Sequence, residues 1–406
     1  MQRIRFPRVG ANRALDLVNF FVADVQTGFG PFVAVYLTTH KWTQVEIGFA
    51  LTLGTMTSLV GQLPAGALVD SMRNKRAAAA GALIGIIAAA LLLALQPTQL
   101  PVLLAQMLHG FSSCVITPAI AAISLRMAGY AALGERLGRN ARFSSIGNGL
   151  AAAVMGATGA YFSSQFVFFL TAALCVPALL ALWSIGPGPH AREQTTCDVM
   201  DLSGLKRLLV DRRLLIFAIC VMLFHLSNAA MLPLAGAAVT MRAGHLANII
   251  IAACIVVPQA VVALFSPWVG RAAERIGRKK LLLLGWGALP LRGLLLAVLP
   301  GSWLLIAGQA VSGISAAVFG VLLPLLAADL TVGTSHFNLC MGILGLAMYL
   351  GAAVSTTMSG GVADAAGMDA AFFMLAGVGL VGFLVVWLAM PETRPTAIEI
   401  SPATPG

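Results

Sequence analysis

Charge is what this chain has least of. Only 10% of its 406 residues are Asp, Glu, Lys or Arg, against about 25% in a typical soluble domain. Mean hydropathy is +0.91. A soluble globular domain is excluded. Strict apolar/polar alternation is missing as well, which excludes the strands of a membrane barrel. Cysteine clusters are absent. Cys114, Cys175, Cys220, Cys254 and Cys340 fall inside apolar runs, and Cys197 lies in a central polar segment. With no CxxC and no Cys–His grouping they read as small packing residues, so neither a disulfide nor a metal site is expected. His40, His109, His190, His225, His245 and His336 are scattered. No HExxH and no nucleophile–base pair falls at membrane depth, which argues against an enzyme, and no cofactor is expected.

What is there is apolar sequence, 59% of the chain, in runs near the roughly 20 residues that cross a bilayer as a helix. Backbone groups in lipid must bond internally, so non-alternating runs of this length are helices. Breaks at charges, Pro and Gly give twelve candidate spans: 14–37, 45–69, 77–96, 100–125, 142–163, 165–186, 214–238, 246–269, 279–299, 302–327, 337–363 and 370–391. The expected fold is an all-α membrane protein of twelve transmembrane helices in two six-helix bundles. The halves are residues 1–186 and 214–391, joined by a linker over 187–213 and followed by a tail over 392–406. Within the linker, "DLSGLKRLLVDRR" reads either as an amphipathic helix on the inner membrane surface or as a solvated connection.

The net charge of +10 lies in short gaps between spans, which speaks for topology and against a nucleic-acid partner. Lys and Arg favour cytoplasmic loops. Placing the basic "MQRIRFPRVGANR" inside puts all 25 of them there except Lys41, Arg242 and Arg292. Both termini are therefore expected in the cytoplasm. The first run is too long for a cleaved signal and is read as a retained span.

The halves also repeat each other. Gly66, Asp70, Lys75 and Arg76 in "GALVDSMRNKR" correspond to Gly270, Glu274, Lys279 and Lys280 in "GRAAERIGRKK". Gln106 and Gly110 correspond to Gln309 and Gly313, and Pro31 to Pro233. Copies that begin on the same side of a membrane are related by an axis along its normal, with a site near the midplane between them. Gly66 permits close helix approach. Asp70, at a helix end, is placed to accept hydrogen bonds from a helix N-terminus or from Arg. Arg73, Lys75 and Arg76 read mainly as signals of sidedness.

"GALVDSMRNKR" resembles the signature loop between helices two and three of the major facilitator superfamily. "GRAAERIGRKK" is similar to its degenerate copy between helices eight and nine, with Gly277 and Arg278 at matching places. The first copy departs from the pattern, having Arg73 where the family usually has glycine. The resemblance implies a secondary transporter in which Asp70 helps latch the two halves in one state of the cycle. It also implies that helices one and seven line a central cavity.

Charged groups inside a membrane are functional candidates by default. The first span carries Asn19, Asp24 and Gln26, and Asp24 is the only carboxylate well inside a span. Burial raises a carboxyl pKa, which suits Asp24 to proton exchange. A structural hydrogen bond or an ion pair with Arg292 explains it too. The seventh span carries His225 and Asn228. Histidine suits proton relay, and packing accounts for it equally. By the resemblance, Asp24 and His225 face each other across the cavity. Arg292 is the only cation well inside a span, read as pairing or snorkelling before substrate contact. Gln106, His109, Gln259 and Gln309 are further polar candidates. "QMLHG" has Gln106 where many proton-coupled exporters of this superfamily carry arginine.

The expected function is proton-coupled export of a small, amphiphilic or uncharged organic solute by a multi-pass inner-membrane protein acting as a monomer. Uptake by proton symport and a non-transporting receptor are the alternatives.

Overall fold

The structure is a computed structural model that describes residues 10–394 apart from 28, 30, 187–201, 236–246 and 299–301. Every regular element among the described residues is helical. The helices are α1 (Ala11–Thr27), α2 (Pro31–Thr39), α3 (Gln44–Ser71), α4 (Lys75–Leu95), α5 (Gln99–Ala128), α6 (Leu133–Tyr161) and α7 (Ser164–Ser184). Then come α8 (Leu202–Val210), α9 (Arg212–Asn228), α10 (Ala247–Ile276), α11 (Arg278–Val298), α12 (Ser302–Leu330), α13 (Phe337–Ala366) and α14 (Met368–Ala389). Most of the expected linker, and the tail beyond residue 394, lie outside the described residues. Its described end includes α8, nine residues with Lys206 and Arg207 exposed and Leu208 buried.

Eight helices among the described residues are long and apolar enough to cross a membrane. The first expected span, 14–37, differs from expectation: it is two helices, α1 ending at Thr27 and α2 beginning at Pro31. Gly28 and Gly30 are weak helix formers. Pro31 is the first residue of α2, where its missing N–H would be unpaired in any case. Elsewhere local chemistry sets the limits. Thr43 and Glu46 form a reciprocal capping box at the start of α3, satisfying two otherwise orphaned amides. Asn74 caps α4 through the amide of Arg76. Gly277, at φ +94°, makes the turn between α10 and α11.

The chain forms two compact units. The first comprises Met1–Gly129, Phe143–Met200 and Ser335–Gly342, and the second Tyr130–Arg142, Asp201–Thr334 and Ile343–Gly406. Two helices change unit along their length. α6 begins in the second and continues in the first, and α13 does the reverse. The first unit packs around Leu15, Tyr36, Leu83, Leu93, Ile116 and Phe168, and the Tyr36 hydroxyl donates to the Leu93 carbonyl at 2.8 Å. In the second unit Trp286 is fully buried and donates to the Cys220 carbonyl at 3.1 Å.

Candidate functional site

The signature loop of the first unit is a clamp. Gly66 lies where a Cβ would overlap the Asn338 carbonyl, which lets α3 touch the first turn of α13. One turn further on, Asp70 is 4% exposed. Its Oδ1 accepts from the Asn338 backbone N–H at 3.1 Å and from Asn338 Nδ2 at 2.6 Å, and its Oδ2 from the Leu339 N–H at 2.8 Å. The carboxylate thus satisfies two orphan amides at a helix N-terminus, where the macrodipole also favours negative charge. Lys75 closes the other side. It is 4% exposed, and Nζ donates to the carbonyls of Val69 at 2.6 Å and Asp70 at 3.0 Å. This caps the C-terminus of α3 with a cation. Arg76 donates to the Ile185 carbonyl, and Arg126 to the Arg73 carbonyl at 2.9 Å. Arg73 itself is exposed. Lys75 and Arg76 are therefore parts of the loop's internal bonding, not solvated markers of sidedness alone.

The second unit builds the same clamp from different residues. A Cβ on Gly270 would overlap the Gly134 carbonyl, at the start of α6. Glu274 Oε1 accepts from the Gly134 N–H at 3.2 Å. Arg278 is 2% exposed. Its Nη1 donates to the Ala273 carbonyl at 2.8 Å and lies 3.3 Å from Glu274 Oε2, while Nε lies 2.9 Å from Asp329 Oδ2. Glu392, just past α14, accepts from the N–H groups of Arg278 at 2.8 Å and Lys279 at 3.2 Å and so caps α11.

Val69 and Ala273 do the same job, as do Lys75 and Arg278. The second copy is one residue shorter between acid and cation, so the structural partner of Lys75 is Arg278 and not Lys279. The helix contacts repeat as well. Gly342 lies against the Gln62 carbonyl in the first unit, and Gly138 against the Ser266 carbonyl in the second. Sequence reasoning missed Gly134, Gly138, Asn338, Gly342, Asp329 and Glu392. The four-residue spacing of small residues at 134–138 was a legible signal of close helix contact. The two acids had none.

The interior polar residues separate into groups. Asn19 is buried and donates to the Leu15 carbonyl of its own helix at 2.7 Å. Asp24 and Gln26 lie on α1 near its end, and their side chains fall outside the described residues. Gln106 is buried, with Oε1 close to Gly54 and Nε2 without a partner among the described residues. His109 stacks on Phe29 at 3.8 Å and 7° and has Ser113 at 3.4 Å. His225 hydrogen-bonds through Nδ1 with the Val221 carbonyl at 3.2 Å and packs edge-on to Phe319 at 4.8 Å. Asn228, Arg292 and Gln309 come together. Arg292 Nη1 donates to Asn228 Oδ1 at 2.6 Å and Nη2 to Gln309 Oε1 at 3.0 Å. Arg292 is 2% exposed, and its head group is taken up by these two amides.

Among the described residues, long apolar helices and a clamp built twice give the architecture of a multi-pass membrane protein. The Major Facilitator Superfamily sequence model matches residues 15–254 and again 217–405, and the chain belongs to that family. It is 36% identical over 404 residues to an uncharacterized MFS-type transporter of Mycobacterium tuberculosis, covering 97% of this chain and 96% of that one. Over 133 residues, 33% of this chain and 32% of the relative, it is 34% identical to the class B tetracycline resistance protein of Escherichia coli. Among solved structures, the E. coli fucose:proton symporter FucP matches with a TM-score of 0.75 at 15% identity, over 94% of this chain and 98% of that one. The human organic anion transporter MFSD10 matches at 0.72 and 17%, over 94% and 100%. Both likenesses are of fold.

Proposed function

We propose that this chain exports a small organic solute in exchange for protons by alternating access. It would span the inner membrane twelve times with both termini in the cytoplasm and act as a monomer. The observation that carries this reading is the duplicated clamp. Asp70 and Glu274 each hold the first turn of a helix whose later turns belong to the other unit. Release of such a clamp frees one end of a long helix, which is the kind of discrete two-arrangement element that a transport cycle needs. Asp24 is assigned the proton, His225 a relay, and Asn19, Gln26, Asn228, Gln106 and Gln309 the polar lining. The relative named for tetracycline resistance favours export over uptake.

The test uses inside-out membrane vesicles that build a proton gradient. The expected result is solute accumulation that collapses with a protonophore and is lost in Asp24→Asn with normal insertion. Accumulation only in right-side-out vesicles would make the protein an uptake symporter. Binding without any gradient-dependent flux would make it a receptor.

A further inference from the structure

Arg292 lies about 21 Å along α11 from its first residue, at roughly 1.5 Å per residue, and is 2% exposed. A guanidinium stays charged in proteins, and a buried charge without a counter-charge is costly. Arg292 has neutral neighbours: both Nη groups donate to amide oxygens, of Asn228 and Gln309. Among the described residues no carboxylate lies within ion-pair distance of it. Two donors of the same cluster, Arg292 Nε and Gln309 Nε2, are buried without an acceptor among the described residues. Buried polar atoms of this kind call for a specific explanation.

The repeat supplies a control inside the molecule. Gln309 has its counterpart in Gln106, 203 residues earlier, and the same offset puts Ala89 at the place of Arg292. Ala89 is fully buried in an apolar core. The scaffold therefore packs at this position without a charge, and the cation in the second unit is an addition to it. Asn228 is half-buried, so the cluster is not sealed on every side.

We propose that Arg292, Asn228 and Gln309 form a binding site for a monovalent anionic group, with Arg292 supplying the charge and Arg292 Nε and Gln309 Nε2 the free donors. Its chemistry suits two sources, a small inorganic anion or the carboxylate of an organic solute. The site stands on the second unit's own geometry and does not depend on the direction or coupling of transport.

The full chain, purified in sodium HEPES at constant ionic strength, is titrated with sodium chloride, sodium nitrate or sodium benzoate while thermal unfolding is followed. A ligand of the native state raises apparent stability, and a saturable rise of about 2–4 °C is expected. It should vanish in Arg292→Gln. It should vanish also in Gln309→Glu, which places a protein carboxylate beside the guanidinium and should itself raise stability without added anion. A rise with chloride or nitrate identifies an inorganic anion, and a rise with benzoate alone identifies a solute carboxylate. No saturable rise in the wild-type chain overturns the proposal, and this arm holds even if neither variant folds. An equal rise in a folded Arg292→Gln protein also overturns it.

Discussion

Asp70 receives three N–H donors at 2.6 to 3.1 Å, two of them backbone amides at the start of α13. Asp70→Asn keeps the shape and loses the charge. It also gives one side-chain atom a donor where an acceptor is needed. A loss of about 1–2 kcal/mol is expected, the range for helix caps and their dipole interaction. Chemical or thermal unfolding measures it. In vesicles the same variant should turn over more slowly while still binding solute, and normal turnover would remove Asp70 from the gating step. Lys75 presents a different problem. Lys75→Met leaves the Val69 and Asp70 carbonyls without a buried donor, for a loss of about 1–3 kcal/mol. Lys75→Arg tests whether the chemistry of the second unit fits the first.

At the scale of helices, glycine decides which pairs meet. Gly66→Ala places a methyl group against the Asn338 carbonyl, and Gly138→Ala one against Ser266. Backbone cannot yield as a side-chain tip can, so each should destabilise by about 1–3 kcal/mol. Gly360→Ala is the internal control: it lies inside α13 with nothing within 4 Å of the added carbon. It should be neutral or stabilise by about 0.5–1 kcal/mol. Equal effects at the three positions would show that backbone entropy, not contact, governs them. The helices themselves were legible in the sequence because a bilayer demands one apolar run per crossing. The break between Thr27 and Pro31 was not, since Gly-Phe-Gly-Pro inside an apolar run reads equally as a tolerated kink. Asp70 was legible by its place at a helix end. Its partners Asn338 and Leu339 were not, because a clamp joining residues 268 and 269 apart leaves no periodic trace.

For the molecule as a whole, two copies of one design have drifted in opposite directions. The first clamp closes its helix end with Lys75, and position 126, which the repeat sets opposite Asp329, is an arginine. The second uses Arg278 with Asp329 and Glu274, and Glu392 just past α14. Glu392→Gln should weaken the second unit while leaving the Asp70 clamp intact. Hydrogen exchange would show it as faster exchange at Arg278 and Lys279 with unchanged protection at Asn338 and Leu339. Equal loosening of both sites would mean that the clamps are not independent. The match of halves was readable from Gly66 and Gly270. The one-residue slip that pairs Lys75 with Arg278 was hidden, because neighbouring cations at 278, 279 and 280 make several registers look alike.

The burial of Lys75 has a practical side. Of the chain's five lysines, Lys41, Lys206 and Lys280 are exposed and Lys279 is partly so. Lys75 alone is enclosed, its amine held by two carbonyls. An amine-reactive reagent should therefore modify the others first and reach Lys75 only when α3 lets go of its own C-terminal turn. The rate at which that one side chain acquires a label is then a clock for the opening of the first clamp, readable by mass spectrometry on the unmutated protein. A solute that changes this rate acts on the clamp, whatever its own chemistry.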